Sequence, residues 1–268
     1  MKRIFFAMTV AFIATSADAC GPDTDCVLGD RHYRIAMPED HDGATPVGAI
    51  VFAHGYRGSA HGVMRNMFMR RLVSDMGLAL IAGKSLDEDW VLPNSPSHFD
   101  SDGQQEIAYF EAVLTDATER FAIDRDRMMM TGFSAGGMMV WNLACAKPDL
   151  FAGFAPISGT FWLEPPATCA TPVTSVIHIH GDADKTVPLD GRAIRHTRQG
   201  AVDQSLSMYA QQGDFAAAEH ATFGDLRCES KENATGEVLE FCLFEGGHSF
   251  RVAFLKHAWD RLKTAGRL

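Results

Sequence analysis

A serine becomes a useful nucleophile when the backbone thrusts it out of a sheet beside groups that stabilise the negative charge it creates. One stretch of this chain has the composition for that. Met128 to Thr131 is an apolar run, Gly132-Phe133-Ser134-Ala135-Gly136 is a Gly-x-Ser-x-Gly turn, and Met138 to Ala146 is helix-forming. A strand that turns sharply into a helix needs small neighbours at the bend, and Gly132 and Gly136 supply them. Ser134 then stands near a helix N-terminus, whose free N–H groups and dipole favour an anionic intermediate.

A serine of this kind needs a base and a carboxylate that orients it, and parallel sheets place such groups at the carboxyl ends of strands. His248 lies on Glu245-Gly246-Gly247-His248, a flexible loop after the strand Val238 to Phe244. There it can take the serine proton and return it to the leaving group. After Ile177-His178-Ile179-His180 comes Gly181-Asp182-Ala183-Asp184, and from the residues alone either aspartate can serve as the acid. His178 and His180 share a strand face but have no carboxylate cluster to complete a metal site, so they read as structural. After Ala49 to Ala53, the loop His54-Gly55-Tyr56 can turn the Tyr56 N–H toward a carbonyl oxygen, with the Ala135 N–H as the second oxyanion donor. His54 reads as a structural hydrogen-bonding histidine.

The elements that must hold these residues alternate along the chain. His32 to Met37 reads as an edge strand, Ala49 to Ala53 and Leu78 to Ala82 as buried strands, Arg65 to Met76 and Gln104 to Phe121 as helices. Further strands are expected at Phe154 to Ile157, Ser175 to His180 and Val238 to Phe244, with helices at Val202 to Gln211 and Val252 to Leu262. Strands alternating with helices specify a mostly parallel sheet covered on both faces, and Ser134, acid, His248 is the chain order of an α/β-hydrolase. The expected fold is therefore an α/β class, α/β-hydrolase three-layer sandwich with a mostly parallel central sheet.

At 268 residues, with 46% hydrophobic and 22% charged content and no linker, residues 20–268 are expected to form one catalytic domain. Residues 1–19 read as a secretory signal peptide: Met1-Lys2-Arg3 is basic, Ile4 to Ile13 is too short to span a bilayer, and Ala17-Asp18-Ala19 resembles a cleavage site. Its removal leaves no integral membrane segment in the mature chain and places the protein in the periplasm or medium. A net charge of −10 argues against nucleic acid or an anionic membrane surface as partner. All six cysteines follow the cut, as Cys20, Cys26, Cys145, Cys169, Cys228 and Cys242. An even count in an exported chain suggests three disulfides, with sequence neighbours as the simplest pairing among those open. Without a Cys-x-x-Cys pair or a nearby histidine in suitable spacing, no metal is expected.

His54-Gly55-Tyr56-Arg57-Gly58, Gly132 to Met138, His180 to Pro188 and Gly246-Gly247-His248 together resemble the polyhydroxybutyrate depolymerase and feruloyl esterase group of secreted α/β-hydrolases. The resemblance runs from about Tyr33 to Leu262. It implies that the aspartate before x-x-Val-Pro, Asp184, is the acid, that disulfides form, and that neither cofactor nor metal is needed. The implied substrate is a small-molecule or polymeric carboxylic ester, such as a hydroxyalkanoate or a feruloyl or acetyl polysaccharide ester. Tyr56 departs from the small residue or cysteine common there in relatives. Tyr56, Trp90 and Trp162 are the expected substrate-binding side chains, able with Phe161 to line an aromatic cleft. A serine peptidase or amidase on the same fold, and a non-catalytic polymer-binding protein, are the alternatives; oligomeric state is not legible.

Overall fold

The computed structural model describes residues 20–268, so the expected signal peptide lies outside the described residues. The chain opens with strands β1 (Cys26–Leu28), β2 (Arg31–Ala36) and β3 (Val47–Ala53), followed by helices α1 (Ala60–Met64) and α2 (Met67–Asp75). Strand β4 (Ala79–Gly83) and the long helix α3 (Gln104–Arg120) lead to β5 (Ile123–Phe133), α4 (Ala135–Ala146), β6 (Gly153–Ile157) and β7 (Val176–Gly181). A small hairpin of β8 (Arg192–Ile194) and β9 (Thr197–Gln199) precedes α5 (Val202–Gln212). Strands β10 (Ala216–Phe223), β11 (Leu226–Glu232) and β12 (Val238–Phe244) and helix α6 (Ala253–Thr264) complete the order.

Ten strands make one sheet in the order β1-β2-β4-β3-β5-β6-β7-β12-β11-β10. The run from β4 to β12 is parallel, and antiparallel strands flank it at both edges. Side chains alternate across this sheet as the two-residue period requires. In β3, Ala49, Val51 and Ala53 face the core built with α3, α4 and α5, whereas Ile50 and Phe52 face the core built with α1, α2 and α6. Phe110, Trp141 and Tyr209 fill the first layer, and Met64, Phe254 and Trp259 the second. Burying each such side chain contributes roughly 1.5–3 kcal/mol, and their sum fixes the helices on the sheet. This is the α/β-hydrolase three-layer sandwich that the alternation predicted.

Local departures have local causes. The expected helix over 65–76 is broken, because Asn66 Oδ1 accepts from the Met69 N–H at 3.1 Å and starts a new helix at Met67. A short α1, capped by Ser59, precedes it. Strand β10 has no apolar alternation to read, since its residues are exposed on both faces. Disulfides join Cys20 to Cys26, Cys145 to Cys169 and Cys228 to Cys242, the sequence-neighbour pairing. The last two fasten the C-terminal end of α4 and the β11–β12 ladder.

Candidate active site

Strand β5 carries the chain to Ser134, and α4 carries it away. Ser134 itself sits at φ 60°, ψ −120°, a strained position for a residue with a side chain. The packing that holds it there tolerates only glycine: a Cβ on Gly136 would collide with the Ala53 carbonyl, and one on Gly132 with the Gly136 backbone. The Ser134 N–H donates to the Ile157 carbonyl of β6 at 2.9 Å, while its hydroxyl makes no capping bond to α4 and stays free for chemistry.

Asp184 and His248 meet over the elbow from β7 and β12. His248 Nδ1 donates to Asp184 Oδ2 at 2.6 Å. The other carboxylate oxygen accepts from the Thr186 and Val187 N–H groups at 2.8 and 2.9 Å. Burial pushes the Asp184 carboxyl up, but the His248 N–H and these backbone donors outweigh it and hold the group below its usual range. An ionised Asp184 holds the imidazole proton on His248 Nδ1, an arrangement in which Nε2 can accept a proton. The His248 ring lies 4.6 Å from that of Phe133, the residue before Ser134. Ser134 Oγ and His248 Nε2 are not hydrogen-bonded to each other; such bonds commonly tighten only when substrate is bound.

Asp182 does a different job. Its carboxylate accepts from the Gly246 N–H at 3.1 Å and from Arg227 at 2.8 Å, so it ties down the loop that carries His248 rather than capping its own turn. These two donors, the Gly246 N–H first, hold its pKa below the ordinary value.

His178 and His180 form a buried column behind Asp184. Trp141 Nε1 can only donate, so His178 Nδ1 accepts at 3.0 Å and its proton resides on Nε2. That N–H donates to His180 Nδ1 at 2.9 Å, which places the His180 proton on its own Nε2, directed to the Val187 carbonyl at 2.8 Å. Burial lowers the pKa of both rings, keeping them neutral and in these tautomers.

The expected oxyanion donors are backbone groups with their hydrogens unspent. Neither the Tyr56 N–H nor the Ala135 N–H has a backbone acceptor among the described residues. Tyr56 sits in the Gly55–Gly58 turn, and Ala135 opens α4. Beside them Ser134, Ala135, Met138, Tyr56, Trp162 and Thr186 line a cavity of ≈ 280 Å³ that extends to Arg192, Ile194, Arg195 and Gln199 of the β8–β9 hairpin.

Trp90 is not part of this cleft, which corrects the expectation that it binds substrate. Its side chain is fully buried, donates Nε1–H to the His54 carbonyl at 2.8 Å and packs between His54 and Phe110. Phe161 is likewise buried, against Trp141. Trp162 does line the cleft, as does Tyr56, which is 52% exposed. His54 is structural: burial drives its pKa down to about 4, Nδ1 donates to the Gly55 carbonyl, and Nε2 accepts from the Ser85 N–H.

Sequence reasoning missed Met138 and the whole hairpin. Met138 stands four residues after Ser134, one turn along α4, so helical spacing offered a signal. The segment Arg192 to Gln199 has no apolar alternation and offered none. Cys228, Glu240, Cys242 and His257 also converge, their ligand atoms within 4.8 Å of one another, although the spacing put no histidine near a cysteine. There the two sulfurs are joined, and Glu240 is held by His257 at 2.8 Å and Arg261 at 2.6 Å.

The chain is similar to several known proteins. Residues 91–213 match the Phospholipase/Carboxylesterase family, a span holding Ser134 and Asp184. The protein NocK from Nocardia uniformis subsp. tsuyamanensis is 33% identical over 184 residues, covering 65% of this chain and 52% of that one. Feruloyl esterase C of Emericella nidulans is 24% identical over 169 residues, covering 61% and 58%. The chain thus spans little more than half the length of these curated relatives. The solved acetyl xylan esterase of Aspergillus awamori superposes with a TM-score of 0.62 at 14% identity, covering 92% of this chain and 96% of that one. The chain thus has the α/β-hydrolase fold, with a strand–serine–helix elbow at Ser134, and is similar to proteins named as esterases.

Proposed function

We propose that this protein is an exported, metal-independent serine esterase that cleaves carboxylic esters through an acyl-enzyme. The observation that carries the reading is the 2.6 Å Asp184–His248 pair standing over a strained Ser134 elbow with two unspent N–H donors beside it. His248 Nε2 takes the proton from Ser134 Oγ as that oxygen attacks the ester carbonyl, and the new imidazolium is balanced by Asp184. The Tyr56 and Ala135 N–H groups receive the charge that develops on the carbonyl oxygen. Collapse of the tetrahedral species returns the proton to the leaving alcohol, and water repeats the sequence on the Ser134 ester to release the acid.

Hydroxyalkanoate and feruloyl or acetyl polysaccharide esters are the substrate classes proposed. Support comes from relatives carrying feruloyl esterase and poly(3-hydroxyalkanoate) depolymerase names, and from a small cleft with Trp162 and Tyr56 on its walls. Export is supported by the basic and apolar start of the sequence and by three disulfides. No helix among the described residues is long and apolar enough to cross a membrane. A fluorophosphonate probe should label Ser134, and Ser134→Ala should lower turnover of p-nitrophenyl acyl esters by several orders of magnitude with the fold intact. Labelling elsewhere, or near-normal turnover in the variant, refutes the proposal.

A further inference from the structure

The cleft beside Ser134 carries charge that ester hydrolysis by itself does not require. Arg192 and Arg195 both line it. Arg195 makes no side-chain hydrogen bond or ion pair among the described residues, and Arg192 spends only Nε, on Gln199 Oε1 at 3.1 Å. Asp89 is the one carboxylate in the lining; it accepts from the Trp90 N–H and pairs with neither arginine. Two cations to one anion is a local excess that runs against a chain of net charge −10.

The backbone holds Arg195 in place at a cost. Ile194 pairs with Thr197, so Arg195 and His196 form a two-residue turn, and Arg195 takes its first position at φ 53°, where glycine is the easy choice. The hairpin is pinned to the cleft: Gln199 bridges Trp162, the Leu163 N–H donates to the Arg198 carbonyl at 2.8 Å, and the Thr197 hydroxyl donates to the Asn94 carbonyl at 2.7 Å. A rigid platform therefore presents an unneutralised guanidinium beside apolar Met138, Trp162 and Ile194. A guanidinium fork in such surroundings suits a carboxylate better than any neutral group.

We infer that the β8–β9 hairpin is a carboxylate-recognition element, and that the preferred substrate is an ester bearing a free carboxylate close to its scissile carbonyl. The inference rests on the esterase reading of the same site. That carboxylate can belong to the acyl half, as in a monoester of a dicarboxylic acid, or to the alcohol half, as at the free end of a hydroxy-acid oligomer.

Two matched pairs separate these sources: monomethyl adipate against methyl hexanoate, and the linear dimer of 3-hydroxybutyrate against its terminal amide. The wild-type protein should show a higher kcat/KM for the charged member of one pair, which identifies the half recognised. Arg195→Gly, which also relieves the turn, should lower that charged-to-neutral ratio at least about tenfold. Arg198→Gln, on the same hairpin but outside the cleft lining, should leave the ratio unchanged. A ratio equal in wild type and Arg195→Gly for both pairs, or a wild-type preference for the neutral members, overturns the inference while the esterase reading stands. Calorimetric titration of Ser134→Ala with the same four compounds reads binding without turnover. Tighter binding of a charged member, lost on adding Arg195→Gly, supports the hairpin as a carboxylate-recognition element, whichever of the four compounds wild type cleaves. Equal binding of charged and neutral members overturns it.

Discussion

His180 Nε2 lies 3.5 Å from the same Asp184 oxygen that His248 Nδ1 reaches at 2.6 Å, and it ends a buried column that begins at the Trp141 indole. Each bond in that column dictates the next proton position, so the N–H offered toward the Val187 carbonyl and Asp184 is settled some distance away. Under the proposed mechanism His180 is a positioning residue, since it bonds the Val187 carbonyl of the turn whose N–H groups hold the Asp184 carboxylate.

His180→Ala should therefore lower kcat about 10- to 100-fold with little change in KM, the scale of losing a group that orients an active-site ligand. Trp141→Phe keeps the packing, frees the His178 tautomer and should cost less. The proton shared by His248 and Asp184 should shift in the NMR spectrum of both variants. A lower kcat with an unmoved resonance would assign His180 to general stability instead.

The two aspartates should separate cleanly. Asp184→Asn deprives His248 of its tautomer and should cut turnover about 10⁴-fold, as loss of the orienting acid does elsewhere. Asp182→Asn weakens the ties to Gly246 and Arg227, so it should slow turnover about tenfold or less and make activity more sensitive to temperature. Comparing kcat for the two folded variants decides the matter, and the reverse ranking would transfer the acid role to Asp182.

The parts legible in the sequence were those fixed by short-range rules. Apolar strand runs end just before Ser134, Asp184 and His248, the proposed triad, because the loops after parallel strands gather at one edge of the sheet, and neighbouring cysteines pair because they sit in adjoining segments. Trp90 was misread because a tryptophan after Asp87-Glu88-Asp89 looks like a loop residue, and only the tertiary hydrogen bond to the His54 carbonyl shows why it is buried. The hairpin with Arg195 escaped because it is held by contacts to Trp162, Leu163 and Asn94, residues remote in sequence.

Asp89 offers a test of what the cleft costs the fold. Burial is the main cause that raises its carboxyl from the ordinary value to about 6. The unfolded chain releases that proton near pH 4 and the folded chain near pH 6, so stability falls as pH rises between them and the loss is complete above pH 6. Asp89→Asn, which keeps an acceptor for the Trp90 N–H, should be more stable than wild type by about 1–3 kcal/mol at pH 7, with the gain disappearing below about pH 4. Urea titrations at both pH values measure this; a gain of equal size at both would show that the effect is not ionisation.

The bridge between Cys228 and Cys242 joins directly opposed residues of β11 and β12, and β12 feeds the loop that carries His248. Closing a loop of 14 residues restricts the unfolded chain by roughly 3 kcal/mol in the entropy model. The local effect should be felt first at the site. Asp182 reaches Arg227, the neighbour of Cys228, and Gly246, two residues before His248, so loosening the ladder disturbs both anchors of the histidine loop. A displacement of about 1 Å at His248 is enough to cost on the order of a hundredfold in rate. Cys228→Ser with Cys242→Ser should accordingly lose esterase activity several degrees below the temperature at which its far-ultraviolet dichroism is lost, whereas the wild-type curves coincide. Coincident curves in the double variant would show that the bridge serves global stability alone.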